Sequence, residues 1–317
     1  MTRASLLALS CALSLSTVAL SSGAFAQTPP CGGLTTLKQS EKLGTLQLRV
    51  GIQRPCGEVK GDVLFFHGFA DRIDNHGPLF AAFNSRGLRV IAFDLPSHGE
   101  TSGIGNHLDL YDFGDIENLA VSVEESTRED KNRPLILAGW STGGLLAIRS
   151  VQSEKWIDRQ VSGLVLLAPG VAVRPLVGEN GVVTQATLTR NPTPPHMGPI
   201  SPTSPLLHPA FATHLLANAG LAWICNLPES LPFLTVVGGE DEDRYVISSK
   251  VKDWTEKQRN GESRRAGLEC AGAYHELDNE PSPVGRDVRE AAASFAAAIV
   301  NGTTDAWSAQ ATGCAAF

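Results

Sequence analysis

Apolar residues fall in short blocks along most of the chain, and these blocks alternate with stretches of helical spacing. Residues 62–66, 88–93, 134–138, 161–167 and 232–237 are runs of strand length with few polar interruptions, which predicts strands buried on both faces. Residues 45–50 alternate apolar with polar positions, the pattern of an exposed edge strand. Helical spacing is found at 79–86, at about 110–129 and from Gly144 onward, and an Ala-rich helix is expected over about 284–300. One more short strand is expected just before Ala271. Strands alternating with helices predict an α/β fold with a mostly parallel central sheet and helices on both faces. Ligands of such sheets gather at the carboxyl ends of the strands, and here those ends lead into His67, Asp94, Ser141 and Ala168.

The alternation breaks at about 171–230. This stretch is rich in proline (Pro192, Pro194, Pro195, Pro199, Pro202, Pro205, Pro209) and has one good helical segment, at about 209–223. An insertion at this point overhangs the strand ends, so we expect a cap that roofs the site and shapes an acyl pocket. Its apolar residues, Leu206, Leu207, Phe211, Leu215, Leu216, Leu221, Trp223 and Ile224, then face the core or a greasy substrate, and transient contact with a membrane surface through the cap is expected.

Composition adds the compartment. Met1-Thr2-Arg3 precedes an apolar Ser/Ala/Leu-rich run to about Leu20, and Ala24-Phe25-Ala26 follows. A charged start, a short apolar run and an A-x-A site predict a signal peptide over residues 1–26, a mature domain over 27–317, and a secreted or periplasmic protein. Cys11 lies within that leader, which leaves Cys31, Cys56, Cys225, Cys270 and Cys314, an odd number, in an oxidising compartment. Sequence cannot fix connectivity, and Cys31–Cys56 and Cys225–Cys270 are the expected pairs. None has C-x-x-C spacing, so no metal centre or thioredoxin-like chemistry is expected. A net charge of -7 over 317 residues gives no electrostatic reason to expect nucleic acid.

The chemistry centres on Gly139-Trp140-Ser141-Thr142-Gly143, which sits between an apolar strand and a helical pattern. That context is what a nucleophile elbow requires: a turn so sharp that its neighbours must be small, with the serine hydroxyl lifted clear of the sheet. A serine hydroxyl is a poor nucleophile at neutral pH and needs a general base oriented by a carboxylate. His275 alone among the histidines follows the last expected strands, whereas His196, His208 and His214 fall in the expected cap. Asp241 and Asp243 both lie just after the strand at 232–237, and either could serve the same imidazole. The two oxyanion amides are expected from Thr142, directly after the serine, and from Phe69, after His67-Gly68. His67 and His98 are expected to be structural.

These residues resemble the α/β-hydrolase superfamily, and within it the lysophospholipase and monoacylglycerol lipase branch (serine aminopeptidase S33-type). The matching pieces are His67-Gly68-Phe69, Asp94 to Gly103, Gly139 to Gly143, Pro232 to Asp241, and Gly272-Ala273-Tyr274-His275-Glu276. The resemblance implies Asp241 as the acid, because the family acid stands nine residues beyond a strand-opening proline; Asp243-Arg244-Tyr245-Val246 keeps Asp243 as the alternate. Ser97 departs from the family, standing where relatives carry the first Gly of G-H-G.

The expected function is therefore a cofactor-free serine esterase acting on small-molecule or lipid esters, with lysophospholipids or monoacylglycerols foremost. A serine peptidase of the proline iminopeptidase type is the alternative within enzymes, although the expected cap offers only Glu179 and Glu229 to hold a free amino terminus. A non-catalytic hydrolase-fold binding protein is the alternative outside them, and it predicts a lost triad member.

Overall fold

A computed structural model describes residues 31–41, 46–101, 112–174, 189–190, 209–309 and 313–317. Its strands are β1 (Leu34–Ser40), β2 (Gln47–Gln53), β3 (Gly61–Phe66), β4 (Leu88–Phe93), β5 (Leu135–Trp140), β6 (Val161–Leu167), β7 (Phe233–Gly238), β8 (Arg265–Cys270) and β9 (Ala315–Ala316). They form one sheet in the order β1-β2-β4-β3-β5-β6-β7-β8-β9. The six strands from β3 to β8 are parallel to their neighbours, while β1, β2 and β9 join antiparallel. Every residue of β3, β4, β5 and β7 is buried, which is why those segments read as continuous apolar runs.

The helices are α1 (Gly77–Ser85), α2 (Phe113–Thr127), α3 (Thr142–Val151), α4 (Pro209–Ile224), α5 (Ser248–Arg259) and α6 (Val284–Val300). α2 starts where Asp112 caps it, the carboxylate accepting from the Asp115 amide at 2.7 Å. α1 ends against Gly87, whose φ of +80° a side chain would resist. α6 buries Val288, Ala291, Ala292, Phe295 and Ala296 along one face, so its alanines are contact residues rather than filler.

Two expectations change here. The strand at 45–50 is β2 and is not an edge: β1 pairs along its full length and takes the edge itself, with most of its residues exposed. The pair Cys31–Cys56 forms, but Cys270 bonds Cys314 rather than Cys225, which is free and half-buried at the end of α4. Cys314 comes to Cys270 because the two-residue β9 pairs with β8 at Leu268 and Glu269. The two bonds thus pin the first and last strands.

The leader expected at 1–26 lies outside the described residues, as do 175–188 and 191–208 of the expected cap, with the prolines from Pro192 to Pro205. The helix of that insertion, α4, buries Phe211, Leu215, Ala219 and Ala222 and packs against α2 and α3. No helix among the described residues is long and apolar enough to cross a membrane.

Candidate active site

β5 ends in the turn that the G-x-S-x-G pattern predicts. Ser141 has φ 55° and ψ −119°, a strained conformation for a residue with a side chain, and α3 begins at the next residue. The strain is held by three hydrogen bonds: the Ser141 amide donates to Leu167 O at 2.9 Å, and Ser141 O accepts from Gly170 at 2.9 Å and Leu145 at 3.1 Å. A Cβ at Gly139 would meet the Gly143 carbonyl, and one at Gly143 would meet the Phe66 carbonyl, both far inside contact distance. Only glycine fits either place.

Around this serine the strand ends assemble a continuous chain of hydrogen bonds. Ser141 Oγ lies 2.8 Å from His275 Nε2, and His275 Nδ1 lies 2.9 Å from Asp243 Oδ2. An ionised carboxylate only accepts, so Nδ1 carries the proton and Nε2 is left to accept from the serine hydroxyl. His275 and Asp243 are buried and Ser141 is partly open. Asp243 Oδ1 is occupied separately, accepting from the Tyr245 and Val246 amides at 2.9 and 3.0 Å. Trp140 Nε1 donates to His275 O at 2.8 Å, and the rings of Trp140 and Tyr245 lie 5.2 and 4.9 Å from the imidazole.

The acid expected at Asp241 is therefore corrected. Asp241 is exposed, while the buried carboxylate on His275 is Asp243. Hydrogen bonding explains the difference: the Asp243 amide donates to Gly239 O at 3.0 Å, closing a five-residue turn whose last residue, Asp243, is turned into the protein while its middle residue, Asp241, faces outward.

Phe69 and Thr142 stand where the oxyanion donors were expected. Among the described residues neither amide has a protein acceptor, and Thr142 opens α3, where the helix dipole favours negative charge. His67 and His98 hold the surrounding loops. His67 Nε2 accepts from the Leu95 amide at 2.8 Å, and His98 Nε2 accepts from the Ala70 amide at 2.9 Å. Burial, reinforced by the neighbouring His67, pushes His98 down to about 3, so it stays neutral in its loop. Ser97, at the family's glycine position, has φ +63°, so the left-handed turn is kept without glycine.

A buried polar cluster stands behind the site, and sequence reasoning missed it. His76 is fully buried, with Nε2 2.6 Å from Asp71 Oδ2 and Nδ1 2.8 Å from Asp278 Oδ2. It joins the loop after β3, which carries Phe69, to the turn after His275. Burial opposes a charged imidazole here, but Asp278 and Asp71 outweigh it and hold His76 well above its ordinary value. Asp71, His76 and Glu276 are also close enough to share a metal ion. Both ring nitrogens of His76 already face carboxylates, however, which is the arrangement of a protonated, hydrogen-bonded imidazole.

With fold and site in place, the family model described as the alpha/beta hydrolase family matches residues 63–316, and the chain belongs to that family. Among curated proteins it is similar to the monoacylglycerol lipase of Mycolicibacterium smegmatis, 28% identical over 103 residues. That match covers 32% of this chain and 36% of the lipase, so the chain spans little more than a third of the curated relative. Among solved structures it is similar to the monoacylglycerol lipase of Paleococcus ferrophilus, with TM-score 0.61 and 21% identity over 79% of this chain and 99% of that one. A soluble variant of the Saccharomyces cerevisiae monoglyceride lipase, in complex with a substrate analog, gives TM-score 0.65 and 15% identity over 85% and 95%. At these identities the structural likeness speaks for the fold. Family membership and the lipase-like relatives together support a hydrolase.

Proposed function

We propose that the protein is a serine hydrolase that cleaves carboxylic esters through an acyl-enzyme, with monoacyl lipids such as lysophospholipids or monoacylglycerols as its substrates. The observation that carries this reading is the unbroken chain Ser141–His275–Asp243 beside two amides that have no acceptor among the described residues. As Ser141 Oγ attacks the ester carbonyl, its proton passes to His275 Nε2, and Asp243 stabilises the imidazolium through Nδ1–H. The Phe69 and Thr142 amides take the charge that develops on the carbonyl oxygen. His275 returns the proton to the departing alcohol, and water, deprotonated by the same imidazole, releases the acid.

Support for a lipid acyl group comes from the insertion. Phe211 of α4 stacks on Phe69, with ring centroids 4.6 Å apart and planes at 21°, so an aromatic wall stands beside the expected oxyanion amide. α4 carries no Asp, Glu, Lys or Arg, and Leu216, Leu221 and Ile224 are exposed on it, which supports transient contact of the cap with a membrane surface. The two disulfides support export behind a cleaved leader.

Hydrolysis of p-nitrophenyl esters of increasing acyl length by the mature protein tests the substrate class. Activity that rises from acetyl toward medium or long chains is the expected result. Activity confined to acetyl and butyryl esters contradicts the lipid reading, and cleavage of aminoacyl amides in place of esters points to the peptidase.

A further inference from the structure

Arg174 stands where the chain leaves the sheet for the insertion, and all the side-chain contacts described for it go to the turn that holds Asp243. Nε donates to Asp243 O and Val246 O, each at 3.0 Å, and Nη2 donates to Glu240 O at 2.6 Å and Glu240 Oε1 at 2.8 Å. The backbone joins in. Val173 bridges Val246 in antiparallel fashion, the Arg174 amide donates to Tyr245 O at 2.7 Å, and the Ile247 amide donates to Ala172 O at 2.8 Å. One guanidinium therefore gathers three carbonyls from a seven-residue turn whose inner face carries both the carboxylate on His275 and the Tyr245 ring stacked upon it.

A planar fork with fixed donor directions is suited to such a clamp, and a lysine is not. The arrangement also has a consequence for chemistry. Asp243 is buried and reaches His275 through one oxygen only, because the other is spent on the Tyr245 and Val246 amides. The turn as a whole must be in place for that oxygen to meet Nδ1.

We propose that Arg174 is a positioning residue: by fastening the 240–246 turn to the stem of the insertion, it sets the Asp243–His275 contact, so that the seating of the stem governs the alignment of the base. This rests on the proposal that Asp243 and His275 work with Ser141. Arg174 touches no reacting atom in that scheme, and its effect runs through the turn.

The test uses the mature protein and p-nitrophenyl acetate, with Arg174→Gln, Arg174→Lys and Glu240→Gln. Loosening Asp243 withdraws its support from the imidazolium that forms as the serine proton is taken, so the loss falls on kcat while substrate binding is kept. Arg174→Gln is expected to lower kcat about 10- to 100-fold, with KM within about twofold. Arg174→Lys should fall nearly as far, and Glu240→Gln should stay near wild type because the three carbonyl bonds survive it. Titration of sites with a fluorophosphonate corrects each rate for unfolded protein. A loss explained by fewer titratable sites, or one that falls on KM with kcat kept, overturns the Arg174 role alone. A wild-type protein that neither turns over esters nor takes the fluorophosphonate overturns the triad reading and Arg174 with it.

Discussion

Asp243→Asn is expected to lower kcat on any ester substrate by about 10⁴-fold, while Asp241→Asn stays within about twofold of wild type. The size of the first effect follows from the way the carboxylate is shared. Oδ1 is fixed by the Tyr245 and Val246 amides and Oδ2 faces His275 Nδ1. An asparagine in that place keeps its oxygen on the two amides and turns its NH₂ to the imidazole. Nδ1 must then accept, the ring proton moves to Nε2, and the nitrogen facing Ser141 can no longer take the hydroxyl proton. Asp241 is exposed and on no such path. Rates measured side by side on one chromogenic ester decide the matter, and the reverse ranking would reassign the acid.

His76→Ala is expected to destabilise the fold by about 3–5 kcal/mol, the usual cost of leaving buried charges without their partner. Asp71 and Asp278 are both fully buried, and nothing the size of alanine replaces the two bonds from the ring. The shift in urea midpoint, at unchanged slope, measures it. The effect has a pH signature. The folded-state pKa of His76 is raised above the ordinary 6.5, so its stabilising contribution is complete below that value and is lost as pH rises through the raised one. The margin of wild type over His76→Gln should therefore narrow in alkaline solution. A margin that widens there would mean that the ring is neutral in the folded protein.

The elbow was legible because two signals coincide on it, a strand-length apolar run ending at Ala138 and a pattern that forces small residues around Ser141. His275 was legible by order, as the one histidine beyond the last strands. The carboxylate on His275 was not, since counting residues from Pro232 locates the loop but not which of its carboxylates the Gly239–Asp243 turn buries. β1 escaped notice because a strand exposed along most of its length leaves no apolar alternation to read. α5 was missed although its signal is present: Val251, Trp254, Thr255 and Gln258 are buried at helical spacing within an otherwise charged segment. Cys314 meets Cys270 through a strand of two residues, too short to register in any pattern. His76 and Asp278 are brought together across most of the chain, and no local feature announces a contact of that kind. Arg174 belongs with them, because its clamp on the turn exists only once β6 and β7 lie side by side.

The central claim is that Ser141 is a nucleophile activated by His275 and Asp243. Labelling of the folded mature protein with a fluorophosphonate, followed by peptide mapping, tests it most directly. The expected result is one adduct per chain, on Ser141, absent from Ser141→Ala and slowed in Asp243→Asn but not in Asp241→Asn. No adduct on folded protein, or an adduct on another residue, would contradict the account.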